Sequence, residues 1–205
     1  MKDRAYGVNW EGELQKNEDE YKLMNYATKQ YGLTSEQAAG IMAQARAESG
    51  YGTQAIGDNG QAIGMFQWHP EREKRIEDHF GKKVTSMNQQ EQLDAYMWEM
   101  KNYEPAAWKK LLQSKTIQDA TAAGLSDERP LDWLNNGTNG QTFRDRTRLA
   151  AHAYRTQTGH DAPTAPNGGV DIHVYDNRKI EVKKRGNLIS QMFRKLGLEV
   201  AMSRG

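Results

Sequence analysis

Apolar and polar positions follow a helical period over most of the chain and a strand-like period near its end. From Tyr21 to Tyr31 the apolar residues Leu23, Met24, Tyr26, Ala27 and Tyr31 recur at helical spacing, and Gly32 ends the run. Thr34 and Gln37 have capping-box spacing, with Ala38, Ile41, Met42 and Ala45 forming one apolar stripe behind them. The helix they predict runs to about Ser49, where Gly50 and Gly52 stop it. Tyr51 to Pro70 carries glycines at 52, 57, 60 and 64, which suits neither a helix nor a long strand. It predicts a loop and a short β-hairpin turning on Asp58-Asn59-Gly60. Pro70 opens a charged helix to about Phe80, and a longer helix spans about Asn88 to Tyr103 with Leu93, Tyr96, Met97 and Met100 inward. Shorter helical patterns cover Pro105 to Gln113 and Thr116 to Ala123. A polar loop follows Trp133, and a helix from about Thr142 to Thr156 buries Phe143, Leu149, Ala150, Ala153 and Tyr154.

Two prolines and three glycines in residues 159–169 predict a linker. Beyond it Val170, Ile172 and Val174, then Ile180 and Val182, alternate with polar residues around Asp176-Asn177-Arg178, the pattern of a second hairpin. Leu188, Ile189, Met192, Phe193 and Leu196 predict a closing amphipathic helix. The expected organisation is a loosely held arm over 1–20, a body over 21–158, the linker, and a hairpin–helix element over 170–205. The fold class is α+β, mostly α.

Charge sharpens this division. The 205 residues carry a net charge of +1, split into +4 over residues 167–205 and −3 over the rest. Such a balance speaks against nucleic acid as a partner. A mean hydropathy of −0.93 and the lack of any run of about 18 apolar residues speak against membrane insertion. The absence of cysteine excludes thiol catalysis, cysteine-based zinc sites and disulfides. The polar N-terminus has no apolar h-region, so no secretory signal peptide is expected.

The chemistry concentrates after the second helix. Glu48 sits in the last turn of an apolar-striped helix, just before the glycine-rich loop. The helix dipole and any burial there both disfavour its anion, as a general acid requires. Asp58, ten residues on in the facing loop, is either the second carboxylate of a glycosidase pair or only the residue that builds the turn. Gln67 offers an amide to sugar hydroxyls, and Tyr51 and Trp68 offer stacking faces, with core packing as the alternative for Trp68. Ser49, a substrate-binding candidate with Tyr51, Gln67 and Trp68, braces the helix end rather than attacking, since no His and Asp are arranged beside it. Arg144, Arg146 and Arg148 read as a solvated helix face. The five histidines lack paired metal-ligand spacing, GDNGQAIG lacks the lysine of a phosphate loop, and no calcium-loop ligand set follows Asp58. No metal or cofactor is expected.

Gln44 to Arg72 resembles the phage tail lysozyme family of the lysozyme-like superfamily. The resemblance rests on Glu48-Ser49-Gly50, Gly57-Asp58, Gly60, Ala62, Gly64, Phe66-Gln67-Trp68 and Arg72. The segment is similar also to soluble lytic transglycosylases, with the Glu48-to-Gln67 spacing slightly altered. Gln92-Leu93, Glu128-Arg129-Pro130 and Arg148 to Tyr154 match further landmarks, so the similarity covers roughly residues 35–158.

The resemblance implies a lysozyme-like domain whose first hairpin lines the cleft. It implies Glu48 as catalytic acid/base on the β-1,4 bond between N-acetylmuramic acid and N-acetylglucosamine, with peptidoglycan glycan strands as substrate. If Asp58 only builds the turn, the sugar's own 6-hydroxyl closes an anhydro ring, as in a lytic transglycosylase. The setting implied is a phage virion assembled in the host cytoplasm and acting on periplasmic peptidoglycan. Residues 170–205 would dock to tail or other virion proteins, with homo-oligomerisation in the particle left open. Two alternatives stand beside this reading: a structural virion protein using the lysozyme-like body for docking or wall binding, and a free endolysin.

Overall fold

Thr34 and Gln37 form the expected reciprocal cap. The Gln37 amide donates to Thr34 Oγ1 (3.3 Å), and the Thr34 amide donates to Gln37 Oε1 (3.0 Å). They start the helix Ser35–Ser49. The computed structural model describes residues 10–163 and the backbones of 171–176 and 179–183. The chain divides into two compact units, residues 1–162 and 163–205.

In the first unit α1 (Trp10–Tyr31) and α2 (Ser35–Ser49) lead into β1 (Ile56–Gly57) and β2 (Ala62–Ile63). Six helices follow: α3 (Pro70–Phe80), α4 (Gln89–Tyr103), α5 (Pro105–Gln113), α6 (Ile117–Glu128), α7 (Leu131–Asn136) and α8 (Gln141–Thr158). α2 packs on α8, α6 and α1. The expected stripe widens into burial of all nine residues from Gln37 to Ala45, because small side chains let neighbours approach from every side. Gly40 is one such close approach, where a Cβ would meet the Ala120 backbone carbon at 2.6 Å. Leu93, Tyr96, Met97 and Met100 of α4 join the same core.

The antiparallel hairpin pairs Ile56 with Ile63 and Gly57 with Ala62 across a single helical turn at Asp58–Gly60, as its turn residues predict. α3 starts at Pro70 and α5 spans Pro105–Gln113, again as expected. Three boundaries differ. α1 begins at Trp10, so much of the expected arm is helical: Glu13, Asn17 and Glu20 lie one turn apart and face Arg46 of α2. The stripe that docks this stretch is polar, which an apolar period does not detect. α6 continues to Glu128, beyond the expected Ala123. α7 has no buried residue, so it carries no apolar stripe to read.

The second unit contains an antiparallel hairpin of β3 (Asp171–Asp176) and β4 (Lys179–Lys183), pairing Ile172 with Val182 and Val174 with Ile180. The alternation expected there forms these strands. The closing helix expected near residues 188–196 and most of the linker lie outside the described residues.

Candidate active site

Glu48 occupies the last turn of α2, where Gly50 takes a left-handed conformation (φ 61°) and its amide reaches the Arg46 carbonyl at 2.9 Å. This cap turns the chain sharply into residues 51–55. Ser49 braces the turn, its Oγ lying 2.9 Å from the Met65 carbonyl and accepting the Gly52 amide at 3.1 Å. Gln92 of α4 clamps the same loop from beneath. Its Oε1 accepts the Met65 amide (2.7 Å), and its Nε2 donates to the carbonyls of Thr53 and Val84 (2.8 Å each). The backbone around Glu48 is therefore tied to two helices before any ligand arrives.

Gln67 holds the hairpin from within. It sits at φ 49°, a left-handed conformation that costs a non-glycine residue energy, and its Nε2 donates to Gly64 (2.9 Å) and Ala55 (3.3 Å) carbonyls. A Cβ at Gly57 would fall 2.2 Å from Gln67 Oε1, so glycine there makes room for this amide. The Gln67 amide nitrogen expected to meet sugar hydroxyls thus already donates within its own loop.

Both expected stacking faces are core residues. Trp68 has no exposed surface, and its indole N–H donates to Glu99 Oε2 at 2.8 Å. Tyr51 is 1% exposed, with its hydroxyl 2.5 Å from Glu20 Oε2. Neither ring has a free face for a pyranose, because each is committed to a buried carboxylate brought from another helix. Around Glu99, Arg72 donates through Nε (2.8 Å) and Nη2 (2.7 Å), and the same Nη2 reaches Asp127 at 3.3 Å. Burial, then repulsion from Glu99 and Glu104, raises the Asp127 carboxyl to about 6, against the pull of Arg72.

Asp58 stands on the exposed tip of the hairpin turn, its carboxylate 3.2 Å from His69 Nε2 and its side chain 67% exposed. It and Asn59 both adopt left-handed backbone (φ 46° and 53°), a conformation that Asp and Asn tolerate better than most residues. Among the described residues no hydrogen bond or ion pair joins Asp58 to Glu48.

The partner Glu48 does have comes from α8. Arg146 donates through Nη2 to Glu48 Oε1, and the same nitrogen stands 3.5 Å from Glu128 Oε2 at the end of α6. The Arg146 side chain is only 13% exposed, so the expectation of a solvated face is corrected at this position; Arg144 and Arg148 do lie exposed. A signal for it existed. Arg146 stands three residues after Phe143 and four before Ala150, on the stripe that α8 buries. Burial pushes the Glu128 carboxyl up to about 8; Arg146 opposes this, while the charges of Glu48 and Asp127 add to it.

The arrangement presents a partly exposed carboxylate at the end of α2 and a largely shielded carboxyl at the end of α6, both beside one cation from α8. No curated protein matches the chain. The family model for phage tail lysozyme matches residues 18–156, which take in α2, the hairpin and all three members of the Glu48–Arg146–Glu128 group. This chain belongs to the phage tail lysozyme family.

Proposed function

We propose that the protein cleaves peptidoglycan glycan strands at the β-1,4 bond between N-acetylmuramic acid and N-acetylglucosamine, as part of a phage particle opening the host wall. The observation that carries this reading is Glu48. It is a partly exposed carboxylate at the end of a helix buried from Gln37 to Ala45, set on a backbone braced by Ser49 and Gln92. Family membership supports the same activity class.

In the step proposed, protonated Glu48 donates to the glycosidic oxygen as the bond from that oxygen to the anomeric carbon breaks. Positive charge develops on the muramic acid ring that keeps the anomeric carbon, while the protonated oxygen leaves with the N-acetylglucosamine. The cation is then captured by water, or by the muramic acid's own 6-hydroxyl, with Glu48 taking back a proton as base. Capture by water needs a second carboxylate to guide it. Asp58 is engaged with His69 at an exposed turn, which favours the intramolecular route, in which one carboxylate serves as acid and then as base. Ser49 and Gln67 support the sugar-binding loop through its backbone rather than by direct contact.

Glu48→Gln tests the assignment. It is expected to abolish clearing of purified cell walls, by at least about a hundredfold, while the thermal unfolding transition is kept. Clearing at the wild-type rate by E48Q rejects Glu48 as the acid. Mass analysis of the released muropeptides separates the two capture routes: anhydro ends report the intramolecular one, reducing ends report water.

Residues 170–205, whose charge of opposite sign sets them apart from the body, are proposed to attach the enzyme to virion proteins. A chain lacking 167–205 is then expected to clear walls in solution and to be missing from particles. Loss of clearing through misfolding would argue instead for packing against the body.

A further inference from the structure

One guanidinium serving two carboxyl groups has a chemical consequence. Arg146 Nη2 touches Glu48 from one side and lies 3.5 Å from Glu128 on the other. Glu48 and Glu128 arrive from different helices, and Arg146 from a third. We propose that Arg146 and Glu128 are positioning residues for the acid: the single cation balances one carboxylate of the pair, so the pair retains one proton and the site still holds a donor at neutral pH. This rests on the reading of Glu48 as the glycosidic acid.

The surroundings of Glu128 reinforce the pairing. Asp127 of its own helix adds negative charge, and the buried Tyr96 hydroxyl of α4 is affected by both carboxyls. From α3, Arg72 is the other cation that acts on Glu128, but it is already held by Glu99 and Asp127. Lys110 of α5 reaches α6 at Ser126 instead, with Nζ 3.3 Å from its Oγ. Arg146 is thus the main counter-charge, and it is shared. Double ionisation leaves one anion poorly compensated in a shielded setting, where charges interact strongly.

The proton has two places to reside. With Glu48 open to water, Arg146 bonds Glu48 and the proton sits on the shielded Glu128, whose burial disfavours its anion. A glycan laid over Glu48 strips water from that carboxylate, while Glu128 is already largely shielded and loses little. The balance then moves toward the proton on Glu48 with Arg146 compensating Glu128. Donation to the glycosidic oxygen uses that proton and leaves an anion on Glu48, to which Arg146 can return. No further acid has to enter the site.

Opposite changes at the two positioning residues test this through the pH profile of wall clearing. In Glu128→Gln the competing anion is gone, and the alkaline limb is expected to move to lower pH by about one to three units. In Arg146→Gln the shared cation is gone, and the limb is expected to move to higher pH. A purely structural role lowers activity at every pH without opposite shifts, and alkaline limbs that coincide with wild type overturn the proposal.

A carbon-13 titration of glutamate carboxyls in wild type and E48Q reads the coupling without activity, should E128Q fail to fold. A glutamate titrating well above the ordinary range in wild type is expected to drop by about one unit in E48Q. An unchanged midpoint overturns the pairing. Retained clearing by E48Q overturns the assignment of Glu48 instead, so the two failures are distinguishable.

Discussion

Two seams of this molecule set a shielded carboxyl of one helix against an arginine of another, with opposite results. In the first, Glu20 of α1 is fully buried against α2 and α8, yet it is held below the ordinary carboxylate range. Burial works to raise it, but hydrogen bonds from His152 (2.7 Å), the Tyr51 hydroxyl (2.5 Å) and Arg46 (2.9 Å) outweigh burial. In the second, Glu128 meets a shared guanidinium at 3.5 Å, with Glu48 and Asp127 adding repulsion, and it rises to about 8. Burial alone therefore does not decide the charge of a carboxyl group. The number of donors aimed at it, set against the number of anions competing for them, does. The donor-rich seam fastens α1 to the body, and the donor-poor one lies beside the candidate acid.

Removing each carboxylate sharpens the contrast. Glu20→Gln should cost about 3 kcal/mol or more in chemical denaturation, because it leaves the largely buried Arg46 without its closest anion and the Tyr51 hydroxyl without its charged acceptor. Glu128→Gln, whose amide resembles a carboxyl already neutral at pH 7, should change stability by less than about 1 kcal/mol. Equal losses in the two variants would break the comparison.

The pH dependence of stability should separate the seams next. Glu20, lowered on folding from 4.5, adds stability that is fully present above that value and lost as pH falls through its folded pKa. Glu128 is raised on folding from 4.5 to about 8. Its contribution is present below 4.5 and lost as pH rises toward 8, so stability declines across that window. Asp127 gives the same sign between 3.8 and about 6. Unfolding titrations should find the decline between pH 6 and 8 flattened in E128Q, and the acid-side loss reduced in E20Q. A wild-type slope above pH 6 that persists in E128Q would assign it elsewhere.

The smallest effect is expected at Asp58, a carboxylate in neither seam. Asp58→Asn should retain clearing to within about tenfold and leave the muropeptide ends unchanged, since its turn conformation suits asparagine equally. A loss as deep as that of E48Q would make Asp58 the second carboxylate of a hydrolase.

Much of the site's backbone was legible before its side-chain partners. The capping box at Thr34, the glycine that ends α2, the turn at Asp58–Gly60 and the proline that opens α3 each act within a few residues of themselves. Glu48 stood out for a local reason also, as a carboxylate at the end of an apolar-striped helix. Trp68 and Tyr51 were harder, because an aromatic beside a glycine-rich loop serves a ligand or a core equally well. What assigned them to the core was Glu99 and Glu20, each 31 positions away.

By itself the sequence determined the helical body, its first hairpin and the position of the candidate acid, since caps, turns and apolar periods are short-range consequences of backbone sterics and hydrogen bonding. The tertiary structure alone decided which charges meet. Arg146 stands 98 positions from Glu48, and His152 stands 132 from Glu20. An ion pair has no period of its own along a chain; it exists only where packing of α1, α2, α6 and α8 brings the helices together and removes the water between them.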